Sequence, residues 1–213
     1  MSTGHFSFGS VDPATETIRL VTKRFSGGLE VSPNGTIYRL ASPGEAAYVG
    51  EPSKQIDWAW EELLRGLYID LDGEDAKSVR GHTIQWPGTE KWFSGLNIYH
   101  SLHCLNLVRQ GFYPDYYAME GSAEHGSLHA DVHVDHCIDY IRQTLQCSAD
   151  LSPIEWEWNT ILNKPMFKAD TAHTCRDWTA IDGWARERSF DWKEKRPALS
   201  QAHTSSSEAP SKY

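Results

Sequence analysis

His100-Ser101-Leu102-His103-Cys104 and His133-Val134-Asp135-His136-Cys137 are two copies of one five-residue word, His-x-x-His-Cys. Each lies in a stretch whose apolar spacing predicts a helix, the first over about Leu96 to Gln110 and the second over about Asp131 to Gln146. Residues three apart on a helix stand about 60° from one another around its axis, and a residue four on shares that face. Each word therefore turns two imidazoles and a thiol in one direction. Two such helices packed together bring four imidazoles to a common point. One His-x-x-His alone is more often a packed or surface pair than a ligand pair. Two copies, each followed by Cys, in a chain with ten His and four Cys, point to a metal centre held by His100, His103, His133 and His136.

The residues around the two words place them. Leu96, Ile98, Leu102, Leu105 and Val108 make the first helix apolar beyond one stripe, so it belongs deep in the fold, and Gly111 and Pro114 end it. Asp131 is a good N-cap for the second helix, with Ile138, Ile141 and Leu145 as its core stripe. Asp135 and Asp139 flank the second pair and are candidates to accept the outer N–H of a ligating imidazole. They are equally explained as acids near a helix N-terminus, where negative charge is favoured. His125 and His129, between the helices, are candidates for an extra ligand or a proton shuttle, although solvated loop histidines are common.

Before these helices, Thr17–Val21 and Thr36–Leu40 are β-prone runs separated by Gly27-Gly28 and Pro33-Asn34-Gly35, which predicts an edge hairpin. Ser53 then caps a helix whose Ile56, Trp60, Leu63, Leu64 and Leu67 form one apolar face, with Asp57, Glu61 and Glu62 on a solvated flank. Residues 70–92 read as an acidic loop without calcium-loop spacing. Beyond the second histidine helix, Trp156 and Trp158 share one face of an extended segment and lean toward the core. Trp178, Ile181, Trp184 and Ala185 then fall at helical spacing. Trp92, Tyr99, Trp156 and Trp158 are the aromatic candidates for a pocket wall. The stretch from Lys193 is polar, and residues 200–213 read as disordered.

The reading is therefore a single, mainly α domain with two central His-bearing helices and a small N-terminal β element. Its parts are a strand-and-turn segment over residues 1–45, a metal-binding helical domain over 46–192 and a polar disordered tail over 193–213. A net charge of −9 argues against nucleic acid or an anionic membrane surface as partner. No apolar run reaches the ~20 residues that span a bilayer, and no signal peptide is visible.

Four cysteines allow two disulfides. Cys137 and Cys147 are ten apart on one predicted helix, about 15 Å, and cannot bond while it is continuous. Two connectivities remain: Cys104–Cys137 with Cys147–Cys175, or Cys104–Cys147 with Cys137–Cys175. The alternative is that Cys104 and Cys137 are themselves ligands of a zinc- or copper-thiolate site.

The doubled word resembles the fungal UstYa-like family of tailoring enzymes in secondary-metabolite pathways. The resemblance extends to Asp57-Trp58-Ala59-Trp60, Tyr99–Asn106, His133–Gln143, Cys147, Asp150 and His173-Thr174-Cys175-Arg176-Asp177, covering roughly residues 45–190. It implies a copper-dependent oxidase with one or two copper ions and O2 as co-substrate. The reactions it implies are oxidative cyclisation, hydroxylation, desaturation or halogenation of a small-molecule or peptide natural product. Carried over, His100, His103, His133 and His136 are the copper ligands and the catalytic residues, Asp135, Asp139 and His173 stand behind them, and the cysteines are in disulfides. A homo- or hetero-dimer with another family member is a further expectation. The family's usual N-terminal membrane anchor is not visible here. Its removal would imply a secretory-pathway lumen, and its native absence a soluble intracellular protein. All-imidazole sites suit copper, and His-x-x-His lacks the glutamate of a zincin, which leaves a hydrolase without a visible base. Two other readings stay open: a redox-neutral cyclase or dehydratase using His as acid and base, and a non-catalytic accessory binding protein.

Overall fold

In the computed structural model, residues 14, 16–24, 28–40, 44, 46–117, 130–148, 150, 156–167 and 172–207 are described, without the side chains of 130–133, 135, 167, 200 and 202–207. Within them, helices alternate with four two-stranded antiparallel sheets, so the fold is mixed rather than mainly α.

The expected N-terminal hairpin is re-paired. β1 (Leu20–Arg24) zips to β8 (Ala172–Arg176) in the register Leu20↔Arg176 to Arg24↔Ala172, and β2 (Leu29–Val31) pairs with β3 (Ile37–Arg39). The turn decides the second pairing. Asn34 Oδ1 accepts the Thr36 N–H at 3.1 Å, and Gly35 supplies the positive φ of 86° that the turn requires.

Helix α1 (Lys54–Leu63) begins where the sequence predicts, with the Ser53 hydroxyl accepting from the Ile56 N–H. Ile56, Ala59 and Trp60 are buried, and the Trp60 indole donates to the Tyr48 carbonyl at 2.9 Å. The helix stops at Leu63, short of Leu67, and Gly66 beyond it sits against the ring of Tyr99. A Cβ at Gly66 would lie 2.5 Å from Tyr99 Cζ. Two of the three supposedly solvated acids hold α1 in place. Asp57 accepts from Tyr117 at 2.5 Å and faces the buried Arg109 guanidinium at 3.5 Å, and Glu62 takes Arg186.

Residues 70–92 are not a plain loop. β4 (Ile69–Leu71) and β5 (Trp92–Ser94) pair at its two ends, with Ile69 and Leu71 fully buried. Asp70 accepts from the Trp86 indole at 2.8 Å and Asp75 from Arg188 at 2.7 Å, so two of the acids there are anchors. Ile69, Leu71, Ala76, Tyr99, Trp184 and Ala185 form the core, with Trp92 and Trp178 packed against it. Tyr99 and Trp92 are therefore core rather than pocket wall.

β6 (Trp156–Asn159) and β7 (Lys164–Phe167) form a hairpin, and Trp156 and Trp158, expected to lean into the core, are 62% and 60% exposed. Alternation correctly put both indoles on one face, but nothing in the sequence said which face would be covered.

The last two helices are α4 (Trp178–Arg188), capped by the Asp177 carboxylate at the Thr179 N–H, and α5 (Trp192–Ser207). The second replaces the expected polar tail up to Ser207, and residues 208–213 lie outside the described ones. Contacts distant in sequence explain it. Trp192 stacks on Tyr68 and Phe93 at ring distances of 5.1 and 5.2 Å, while Lys195 pairs with Asp70 and lies over the rings of Trp86 and Phe190. Trp192→Ala is expected to lose about 2 kcal/mol and to speed amide exchange first along α5, as read by hydrogen exchange.

Candidate metal centre

The two histidine helices are α2 (Asn97–Gly111) and α3 (Ala130–Ser148), within two residues of their expected bounds. They pack on each other through small side chains. Cys104 and Cys137 are both fully buried between them, and the Ser101 and Thr144 hydroxyls hydrogen-bond at 2.9 Å. Side chains this short let the helices approach closely, which brings their polar words together.

The donor atoms of His100, Cys104 and His136 all lie within 4.8 Å of one another. The His100 and His136 rings, from opposite helices, are 6.0 Å apart. Cys104 is buried, His100 half-buried and His136 exposed, so the cluster has a closed floor and an open side at α3. His103 is not one of the three. Its ring stands 6.1 Å from that of His100, displaced around the helix as an i+3 neighbour must be, whereas Cys104 at i+4 shares the His100 face. The backbone of His133 and Asp135 belongs to α3, and their side chains lie outside the described residues, as do His125 and His129 entirely.

All four cysteines are thiols here. Burial, and next the neighbouring Cys104 sulfur, push the Cys137 thiol up to about 12. α3 is continuous from Cys137 to Cys147, as the geometric exclusion of that pair required. The carboxylate of Asp139 faces along its own helix. Hydrogen bonds from Arg142 at 2.7 Å and Gln143 at 2.6 Å hold it below the usual carboxylate range. His173, on β8, pairs through Nδ1 with Asp150 at 2.7 Å and is not among the three clustered donors.

Sequence reasoning missed Tyr140. Its ring stands 4.5 Å from His100 at 78° and 5.8 Å from His136, and its hydroxyl donates to Asn97 Oδ1. The signal was present, because Tyr140 follows His136 by four and Asn97 precedes His100 by three.

Two imidazoles and a thiol suit a soft or borderline metal such as copper or zinc, while a carboxylate-and-water site for magnesium or calcium is a different donor set. A mixed α/β fold with a cluster of possible metal donors between two packed helices is the class the geometry describes. The chain belongs to the UstYa family. The family profile described as "Mycotoxin biosynthesis protein UstYa" matches residues 3–188. It is similar to the UstYa family oxidase phomYd of Diaporthe leptostromiformis, 30% identical over 88% of this chain and 65% of that protein. It is also similar to the UstYa family oxidase aprY of Aspergillus flavus, 28% identical over 76% of this chain and 52% of that protein. The oxidase ustYa of Aspergillus flavus is 35% identical over 43% of this chain and 40% of its own length. The chain thus spans less than two thirds of the length of these relatives. No solved structure matches it. Among the described residues, no helix is long and apolar enough to cross a membrane.

Proposed function

We propose that the protein is a copper-dependent oxidase that tailors a fungal secondary metabolite, with O2 as co-substrate. The observation that carries this reading is the convergence of His100, Cys104 and His136 from two helices onto one point. Membership of a family whose relatives are named oxidases supports it. His100, Cys104 and His136 would hold the metal, and the repeat makes His103 and His133 candidates for completing the set or for a second ion. Copper supplies one-electron cycling and activation of dioxygen. The chain supplies the rest. Buried Cys104 closes the floor against water, and exposed His136 marks the side from which a small-molecule or peptide substrate reaches the centre. The substrate's C–H bond is the site of oxidation, in a cyclisation, hydroxylation, desaturation or halogenation.

The cysteines admit a second state. Cys104 and Cys137 adjoin, and the His173–Asp150 pair brings β8, which carries Cys175, beside the end of α3, which carries Cys147. This supports Cys104–Cys137 with Cys147–Cys175 wherever the protein meets an oxidising compartment such as the secretory lumen. In that state the metal falls to the imidazoles alone. Assembly with itself or another family member belongs to the same proposal.

The test is metal content after purification and copper reconstitution, beside His100→Ala/His133→Ala, followed by O2 uptake with candidate substrates. Stoichiometric copper that the double variant loses is the expected result. Zinc in the same ratio, or no metal after reconstitution, overturns the oxidase reading.

A further inference from the structure

We infer that Tyr140 is a positioning residue of the centre, fixing the ring planes of His100 and His136. This rests on the reading of those histidines as metal ligands. A histidine ring turns about a broad, two-fold χ2 well, so its own rotamer preference does not fix the direction of its donor nitrogen. Something outside the ring must do so, and an outer partner usually takes that part through a hydrogen bond.

Tyr140 is built for the task by its place between the helices. It lies one turn beyond His136 on α3, and its ring meets His100 of α2 edge-on at 4.5 Å and 78° while staying 5.8 Å from His136. One aromatic plane thus touches two imidazoles that come from different helices. Edge-to-face contact is directional, because the positive edge of one ring meets the negative face of the other, so it favours one imidazole plane over its alternatives. The phenol is itself tied at its far end, its hydroxyl donating to Asn97 Oδ1. Asn97 opens α2 one turn before His100, so the tether and the contacted ligand ride on the same rigid element. The assembly is a strut: α3 carries the ring, α2 holds its tip, and the two imidazoles lean on its sides. Tyr99, the residue before His100 on α2, contrasts with Tyr140. It is fully buried and its hydroxyl is spent on Asp182 within the core, whereas Tyr140 is half-buried at the mouth of the cluster.

The test begins on the metal-free protein, with long-range proton–nitrogen correlations of the His100 and His136 rings. Tyr140→Leu is expected to broaden or average the ring signals of both histidines, and Tyr140→Phe, which keeps the ring and loses only the tether, to recover most but not all of the wild-type pattern. Asn97→Ala, on an exposed first turn, removes only the tether and is expected to give a smaller shift in the same direction. It keeps the inference testable where Tyr140→Leu does not fold. On copper loading, Tyr140→Leu is expected to weaken Cu(I) affinity by about tenfold or more and to make the Cu(II) EPR spectrum heterogeneous, with Tyr140→Phe and Asn97→Ala alike and between it and wild type. Unchanged imidazole signals in Tyr140→Leu and Asn97→Ala overturn the inference. A wild-type protein that takes up no copper sinks the proposed function instead, and the metal-free spectra still decide the case of Tyr140.

Discussion

Tyr99→Ala is expected to remove about 3–5 kcal/mol, a large part of the roughly 5–15 kcal/mol that holds a domain of this kind folded. Tyr99 is fully exposed to packing and not at all to solvent. Its ring meets Trp178 at 5.4 Å, and its hydroxyl reaches Asp182 at 2.5 Å. Truncation opens a cavity at the junction of α2, α4 and β4, and also deprives the Asp182–Arg186 pair of its third member. The reverse change strains the same spot. Gly66→Ala would set a methyl 2.5 Å from the Tyr99 ring and 2.9 Å from the Ala185 Cβ, so either the ring or α4 must retreat, at about 1–3 kcal/mol. Chemical denaturation of both variants measures the two losses. A midpoint for Tyr99→Ala near wild type would mean that the core lies elsewhere. Because Tyr99 precedes His100, a loosened α2 is expected to shift the His100 imidazole as well.

His136→Ala is expected to act in the opposite way, leaving the fold alone and weakening the proposed copper binding. His136 is the exposed member of the cluster, and surface substitutions usually move stability by no more than about 0.5 kcal/mol. Its imidazole is nevertheless the donor of the described set that α3 contributes. Its loss should weaken Cu(I) binding beyond the roughly 10–100-fold at stake in a ligand's outer partners. Competition with a chromophoric Cu(I) chelator reads the affinity, and thermal unfolding of the metal-free protein reads the fold. Full copper affinity in His136→Ala would remove this cluster from consideration as the metal centre.

The parts legible from sequence were those set by contacts close along the chain. Apolar spacing located the helices carrying the two words, and i, i+3, i+4 geometry already put Cys104 on the His100 face. The stripe read as core on the second helix is nevertheless exposed at Ile138 and Leu145, and Ile98 and Leu105 of the first are exposed too. Ser53 and Asp177 shaped their helix starts through hydrogen bonds two or three residues long. What escaped depends on partners far away. Nothing in Leu20–Arg24 says that its ladder lies at Ala172–Arg176 rather than at the nearer β-prone run. The polar composition after Lys193 conceals that Trp192 and Lys195 dock on an aromatic group built from residues 68–93 and 190. Aromatic identity alone does not separate core from surface either: Tyr99 proved fully buried and Trp158 largely exposed. The acids misread as solvated, Asp57, Asp70 and Asp75, each found a cation or an indole contributed by another part of the chain.

The β1–β8 ladder has a kinetic meaning. Bringing Leu20 to Arg176 closes a loop of about 150 residues, which carries a large entropic cost before any ladder hydrogen bond repays it. α2 and α3 lie wholly inside that loop and meet through contacts far closer in sequence, so the order expected during folding is helix pair first and ladder last. During synthesis, β8 leaves the ribosome after both histidine words, and the nascent chain holds its donor set before its ends are joined. The ladder is then expected to act as a clasp on a helix pair already packed, bearing on how long the pair persists more than on whether it forms.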